Sequence, residues 1–148
     1  MEDSQALAEQ CRRCNKEYIM LLKYIGHRHE YGTFDCIRLV QQFYEAELGV
    51  SFDLPPYPHS SAWMKSFTTA SFDNRAAKYG TKVPLTAAKN YDLMAFKSNK
   101  SNLLIHFGIY IMPNQMLHVE EKGISRIDML SDYWLEHLHA VYRHDSLV

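Results

Sequence analysis

Residues 103–121 read LLIHFGIYIMPNQMLHVEE, two apolar stretches separated by Pro113 and Asn114. In the first stretch large apolar side chains alternate with His106 and smaller or polar residues, the period of two that is typical of a strand with one buried face. Proline and asparagine side by side indicate a turn. The segment therefore predicts a β-hairpin that carries His106 on its first strand and His118 on its second.

The register of this hairpin decides whether the two histidines meet. A loop of three or five residues centred on Pro113 pairs residue 108 with residue 118. His118 then lies diagonal to His106 on the same face, roughly 7–8 Å away, whereas an even-numbered loop puts the rings on opposite faces. Because proline is awkward at the second position of a three-residue type I loop, the wider loop is expected.

Strand patterns continue on both sides of the hairpin. Residues 92–97, 104–111, 116–120, 124–128 and 139–143 are predicted to be short strands, so that 91–144 forms a sheet. Trp134 is expected to pack a last helix or turn against that sheet. Residues 51–90 are harder to assign, because Pro55, Pro56 and Pro58 oppose regular structure, and one or two short helices are expected within 60–79.

The first half of the chain has helical periodicity instead. Residues 1–25 predict a helix whose apolar face consists of Leu7, Cys11, Cys14, Tyr18, Leu21 and Ile25. A second helix is predicted from Cys36 to about Leu48, with Gly49 closing it. Helices followed by strands indicate an α+β domain, with the N-terminal helices packed on an antiparallel sheet of about five to six strands.

Composition narrows the possible functions. The chain has 148 residues, 47% of them hydrophobic, which fits a single domain over 1–148 with a real core. A net charge of −1 argues against a nucleic-acid partner. No apolar run predicts membrane insertion, and the acidic start MEDSQALAEQ lacks the pattern of a signal peptide, so synthesis in a cytoplasm is expected. No metal or cofactor is predicted, because Cys11 and Cys14 fit a helix face better than a zinc site.

Cys36 is the candidate nucleophile of the chain. It follows Asp35 at the predicted start of a helix, where unpaired N–H groups and the helix dipole favour a thiolate and can hold an oxyanion. The alternative is that Cys36 is a small buried apolar residue, as most cysteines are. A nucleophilic cysteine also needs an imidazole base and a group that orients it, which the predicted histidine pair supplies.

Two segments resemble a known family. The stretch YGTFDCIRLVQQFYEAELGV, in the nucleophile segment 26–50, resembles the corresponding part of the NlpC-type cell-wall cysteine peptidases of the papain-like superfamily, and is most similar to members found in phage tail tips. DLMAFKSNKSNLLIHFGIYIMPNQMLHVEE and the residues after it are similar to the family's catalytic hairpin. In that family a His-x-Gly-Ile-Tyr strand is followed twelve positions later by a second polar residue, and these positions are His106 and His118 here.

The resemblance implies roles for these residues. Cys36 is the nucleophile, His106 its base and His118 the orienting group, while Asp35 and a tyrosine, either Tyr24 or Tyr31, support substrate or oxyanion. The implied substrate is a peptidoglycan stem peptide, cut between D-glutamate and a diamino acid. The implied partners are phage tail-tip proteins, and the implied location is the virion, with action in the cell wall or periplasm.

Two positions depart from the family pattern. Arg38 stands where relatives have a small residue, and Tyr91 where they have glycine. Arg38 is expected to lie along the surface, to pair with an acid such as Asp35, or to reach over the cleft. A catalytically weak or inactive structural subunit of a tail tip is the alternative function.

Overall fold

A computed structural model describes residues 2–51 and 68–147. Helix α1 spans Glu2–Leu22 and α2 spans Cys36–Phe43, continued by a π-helical turn over Tyr44–Leu48. Helix α3 spans Thr69–Ala76 and α4 spans Asp132–His137. Gly49 ends the second helical segment with a left-handed φ of 67°, so the predicted helix from residue 36 to 48 is confirmed in its extent.

The described residues form a six-stranded antiparallel sheet in the order β1-β6-β2-β3-β4-β5. Its strands are β1 Gly80–Val83, β2 Leu93–Lys97, β3 Leu104–Ile111, β4 Gln115–His118, β5 Arg126–Met129 and β6 Leu138–His144. The predicted α+β class and five of the strands are confirmed to within a few residues. β1 was not predicted. It has only four residues and lies at one edge of the sheet with two side chains exposed, which is too short for a clear alternation of apolar and polar residues.

The central hairpin has the predicted parity. Ile109 pairs with Leu117 and Ile111 with Gln115, which places residue 108 opposite 118. The loop itself is only three residues long, 112–114, so the expectation of a wider loop was wrong. Asn114 adopts a φ of 53°, the left-handed conformation that closes a three-residue hairpin loop and that asparagine tolerates.

The sheet buries apolar side chains on both faces. On one face Phe107, Ile109 and Leu117 belong to the main core, together with the buried side of α2. On the other face a second cluster contains Phe96 and Trp134. Trp134, on α4, packs edge-on against Phe96 at 5.1 Å between ring centroids, which confirms that this helix packs on the sheet. The helix α2 and the hairpin are therefore fixed relative to each other by shared burial.

Helix α1 is less buried than the sequence pattern predicted. Leu21 is buried and Ile25 packs on the core, but Tyr18 is 61% exposed. The side chains of Leu7, Cys11 and Cys14 lie outside the described part of the structure, as do Pro55, Pro56, Pro58 and residues 60–67. Helix α3 lies within 60–79, so one of the short helices expected there is confirmed. Tyr91, where relatives have glycine, takes a left-handed φ of 78°, which is the conformation that glycine adopts without strain.

A buried ion pair joins β6 to the start of β2. The carboxylate of Asp92 is fully buried and accepts hydrogen bonds from Arg143 at 2.9 and 3.1 Å. We expect Arg143→Met to lower the free energy of unfolding by about 3 kcal/mol, because it leaves a buried carboxylate without its counter-charge. Urea denaturation measures this, with Lys78→Met at an exposed position as control; equal effects of the two changes would show that the pair is not stabilising.

Candidate active site

Cys36 is the first residue of α2, and Asp35 caps the helix. The Asp35 carboxylate accepts hydrogen bonds from the backbone N–H groups of Ile37 at 3.1 Å and Arg38 at 2.9 Å, and a third from Gly32 at 2.9 Å. Asp35 is 1% exposed. These bonds show why the helix begins here: an aspartate at the N-cap satisfies backbone donors that have no partner within the helix.

The cap changes the role expected for Asp35. Its side chain holds backbone N–H groups of the first helical turn, and those groups are the ones that an oxyanion would otherwise use. In the structure Asp35 therefore acts on the helix, and through it on the position of Cys36. The N–H of Cys36 itself is not among the groups from which the Asp35 carboxylate accepts.

His106 and His118 lie side by side on β3 and β4. The Nε2 atom of His106 is 2.8 Å from Nδ1 of His118, so the rings share a hydrogen bond. Trp134 stacks on the His106 ring, with centroids 4.8 Å apart and planes inclined by 28°. It meets the His118 ring edge-on at 5.3 Å. Hydrogen bonding and aromatic packing together leave the pair little freedom to rotate.

Beyond the two histidines lies an ion-pair network that the sequence pattern did not reveal. The Nε2 atom of His118 donates to Oδ2 of Asp128 at 2.8 Å. Arg126 donates to the same oxygen at 2.7 Å and also pairs with Glu120. Arg126 and Asp128 are two residues apart on a strand, so they share a face. That alternation was visible in the sequence, but only the pairing of β4 with β5 brings Asp128 to His118.

The predicted nucleophile and base line one cavity. Cys36 and His106 both border a space of about 170 Å³, together with His29, Tyr31, Glu120, Glu121 and Trp134. The backbone N–H of Phe107, the residue after His106, contributes a hydrogen bond to the Cys36 sulfur. The register of β2 against β3 shifts between Phe96 and Lys97, at the end of β3 that carries His106, and such irregularities re-aim side chains beside a site.

The two candidate tyrosines have different surroundings. Tyr31 borders the cavity and donates a hydrogen bond to Glu121; partial burial and this bond raise the pKa of its hydroxyl to about 12. Its ring contacts His29 edge-on at 4.7 Å. Tyr24 lines a different depression and donates to Glu47 at 2.8 Å. Tyr31 is thus the tyrosine that the fold places beside Cys36.

Burial governs the charge of the thiol and the imidazole. Burial, and then the charge of Asp35, raise the pKa of Cys36 above its ordinary value, which is opposite to the effect expected of the helix N-terminus. Three backbone N–H groups act in the opposite direction and are outweighed. Burial also holds the pKa of His106 well below its ordinary value, and electrostatic coupling to His118, Arg126 and His29 lowers it further. Both shifts favour the neutral thiol and the neutral imidazole.

Arg38 lies on the exposed flank of α2. Its guanidinium donates to Gln41 at 3.0 Å, so of the three expectations the position along the surface is the one observed. Among the described side chains, His118, Glu120 and Asp128 lie close enough together to hold a cation. Both carboxylates already pair with Arg126.

A helix that begins with a capped cysteine, packed on an antiparallel sheet whose central hairpin carries a hydrogen-bonded histidine pair, defines the papain-like class of cysteine peptidases. Within that class the chain belongs to the NlpC/P60 family, whose sequence model matches residues 23–143. Members of this family are generally cysteine peptidases and peptidoglycan hydrolases.

Relatives of the chain include a phage tail protein. This chain is 26% identical, over 136 residues, to the tail tip assembly protein K of Escherichia phage lambda. The match covers 90% of this chain but only 65% of that protein. A lipoprotein-like NLP/P60 protein from Staphylococcus aureus superposes with a TM-score of 0.57 at 25% identity, over 86% of this chain and 39% of that one. The NlpC/p60 domain of the peptidoglycan hydrolase SagA superposes with a TM-score of 0.57 at 18% identity, over 85% of this chain and 94% of that domain.

Within the described residues, 2–51 and 68–147, no helix has the length and apolarity needed to cross a membrane.

The buried histidines make stability depend on pH. The pKa of His106 is lowered on folding, so the unfolded chain binds a proton between the folded pKa and about 6.5 while the folded protein does not. The free energy of unfolding therefore keeps the full contribution of His106 above pH 6.5 and loses it as the pH falls below that value. The slope is up to about 1.4 kcal/mol per pH unit. We expect His106→Phe to reduce the fall in unfolding free energy from pH 7 to 5.5, measured by urea denaturation. His27→Phe, at an exposed position, controls for the added ring; an unchanged slope in His106→Phe would contradict the argument.

Proposed function

We propose that this chain is a cysteine endopeptidase that cleaves peptidoglycan stem peptides, at the bond between D-glutamate and a diamino acid, as a cell-wall hydrolase associated with a phage tail. The observation that carries the proposal is that Cys36 and His106 line the same cavity and that His118 is hydrogen-bonded to His106. Membership of the NlpC/P60 family supports the reaction class, and the likeness to the lambda tail protein supports the location.

The mechanism starts from neutral groups. As the sulfur of Cys36 attacks the stem-peptide carbonyl, the thiol proton passes to the ring of His106, so that His106 acts as a general base rather than as half of a preformed ion pair. His118 keeps its hydrogen bond to His106 and stabilises the imidazolium that forms. The backbone N–H of Cys36 stabilises the oxyanion.

The second half of the reaction returns both groups to their starting state. His106 gives its proton to the departing amine as the C–N bond breaks, leaving an acyl group on the sulfur of Cys36. Water, deprotonated by His106, then attacks the thioester, and the released sulfur recovers the proton. A tight cavity favours this path because neither a thiolate nor an imidazolium is stable there before substrate arrives.

The test uses purified sacculi and identifies the released fragments by mass spectrometry. Cleavage at the proposed bond leaves a dipeptide ending in D-glutamate on the glycan and releases peptides that begin with the diamino acid. We expect Cys36→Ala to abolish release and His106→Ala to lower it by about 10²–10⁴, the usual contribution of a general base. His118→Ala should lower it less, because an orienting group acts through another residue.

Circular dichroism and urea denaturation of the three variants establish that they fold. Wild-type release by Cys36→Ala would contradict the assignment of the nucleophile. Release of fragments cut at another bond would keep the reaction class and overturn the bond.

Arg38 provides a separate prediction. Because its guanidinium lies on the exposed flank of α2 and donates to Gln41, we expect Arg38→Ala to leave turnover of soluble stem peptides within about twofold of wild type. Gln41→Ala, which removes the partner of the same hydrogen bond, is the matched control. A large loss confined to Arg38→Ala would place the side chain in the catalytic machinery.

A second candidate function is a structural subunit of the tail tip. The observation in its favour is the burial of Cys36, which is 5% exposed and whose pKa burial raises. Under this function the folded wild type releases nothing from sacculi and Cys36→Ala behaves identically, whereas both retain binding to the neighbouring tail proteins.

A further inference from the structure

Asp128 lies one hydrogen bond beyond the proposed histidine pair, on β5. A single carboxylate oxygen, Oδ2, accepts from Nε2 of His118 at 2.8 Å and from Nε of Arg126 at 2.7 Å. Asp128 is partly exposed, with about a third of its side chain accessible, while His118 is fully buried. Packing of apolar side chains does not require this contact between Asp128, on the edge strand β5, and the buried ring of His118. The contact is therefore a candidate for a functional role.

The contact determines where the protons lie on both rings. Burial acts to raise the pKa of Asp128, but the bond from His118 and the charge of Arg126 outweigh it and lower the pKa, so the carboxylate is ionised and can only accept. Nε2 of His118 must then carry the hydrogen. Because burial also lowers the pKa of His118 and keeps the ring neutral, its Nδ1 atom has none.

The constraint passes on to His106. Nδ1 of His118 lies 2.8 Å from Nε2 of His106 and, lacking a hydrogen, can only accept, so His106 must donate from Nε2. His106 is also neutral, and its single ring hydrogen is thereby used. The lone pair of its other nitrogen, Nδ1, is the one left to take a proton.

We propose that Asp128 is a positioning residue of the site: by accepting from His118 it selects the tautomer of both histidines, so that Nδ1 of His106 is the atom that receives the Cys36 proton. The inference rests on the proposed function. Arg126 holds the Asp128 carboxylate in place, and Glu120 holds Arg126 from the other side.

Without this acceptor, the hydrogen bond between the rings can run in either direction. In the reverse arrangement His118 donates from Nδ1, His106 accepts at Nε2, and the hydrogen of His106 sits on Nδ1, where it blocks the thiol proton. Loss of Asp128 therefore reduces the share of molecules in the productive tautomer while leaving both rings in their cavity.

Two substitutions separate the acceptor from the charge. Asp128→Leu replaces the carboxylate by an apolar side chain of similar size, and so removes both the hydrogen-bond acceptor and the negative charge. Asp128→Asn removes the charge but keeps an oxygen, and because His118 and Arg126 donate to the same oxygen, Arg126 draws the amide oxygen to that position. We expect the chemical shifts of the ring nitrogens in ¹⁵N-histidine NMR to report the Nε2–H tautomer of both rings in wild type and in Asp128→Asn. In Asp128→Leu the same spectra should report a mixture.

Kinetics on soluble stem peptides give the second readout. We expect Asp128→Leu to lower kcat about tenfold or more with KM unchanged, less than the 10²–10⁴ attributed to a general base, and Asp128→Asn to stay within about threefold of wild type. Glu45→Leu, which removes an exposed carboxylate from the π-helical turn, is the matched control and should leave kcat unchanged.

The pH profile measures how strongly the charge of Asp128 acts on the histidine pair. The acidic limb of kcat/KM reports protonation of the coupled histidine pair, which faces Asp128, Arg126, Glu120 and His29. Removing the negative charge of Asp128 disfavours the protonated pair, so the limb moves to lower pH in both variants. Because the same shift follows if Asp128 only pairs with Arg126, the tautomers seen by NMR and the split between kcat and KM decide between positioning and a structural role.

The outcomes test the inference separately from the function. Equal loss of kcat in the two variants, with unchanged tautomers in the spectra, would overturn the positioning role even if wild type cleaves sacculi. If wild type cleaves nothing, the proposed function fails, while the spectra of wild type and Asp128→Leu still decide whether Asp128 sets the tautomers.

Discussion

The pairing of residue 108 with residue 118 is the constraint on which the site depends. Because side chains alternate across a strand, this register puts His106 and His118 on one face, and a slip by one residue would separate them. Gly108 lies opposite His118, and an added Cβ there would meet the Met116 sulfur at 2.3 Å. A glycine there leaves room for the Met116 side chain of the second strand.

Burial is the second factor, and it acts against charge throughout the site. Cys36, His106 and His118 are all less than a tenth exposed. In such surroundings desolvation outweighs the favourable helix N-terminus, which is itself already used by the Asp35 carboxylate. The ionised groups, Asp128, Arg126 and Glu120, lie further out, where water is accessible. The charged side chains thus lie around the cavity, and Asp128 acts on His106 through its hydrogen bond to His118.

The same separation explains how departures from the family pattern are accommodated. Arg38 is long and charged, but it begins on the outer flank of α2 and bonds to Gln41 on the same helix. Tyr91 adopts a left-handed backbone that suits glycine better, and its ring packs on Phe43 at 5.3 Å. Apolar contact offsets the backbone cost there, so neither change disturbs the cavity.

The sequence by itself determined the class of the fold, the helix that begins at Cys36 and the strands of the second half, because these depend on local periodicity and on neighbours close in the chain. It favoured an odd-numbered hairpin loop but not its length, which the structure fixed at three residues. It left open which of Tyr24 and Tyr31 lies beside Cys36, and it gave no sign of Asp128 or of β1. Only the tertiary structure decided these, because they depend on which strand edges pair and on how deeply each group is buried. The directions of the pKa shifts of Cys36 and His106 were decided in the same way, since desolvation is a property of the packed protein and is absent from any short stretch of its sequence.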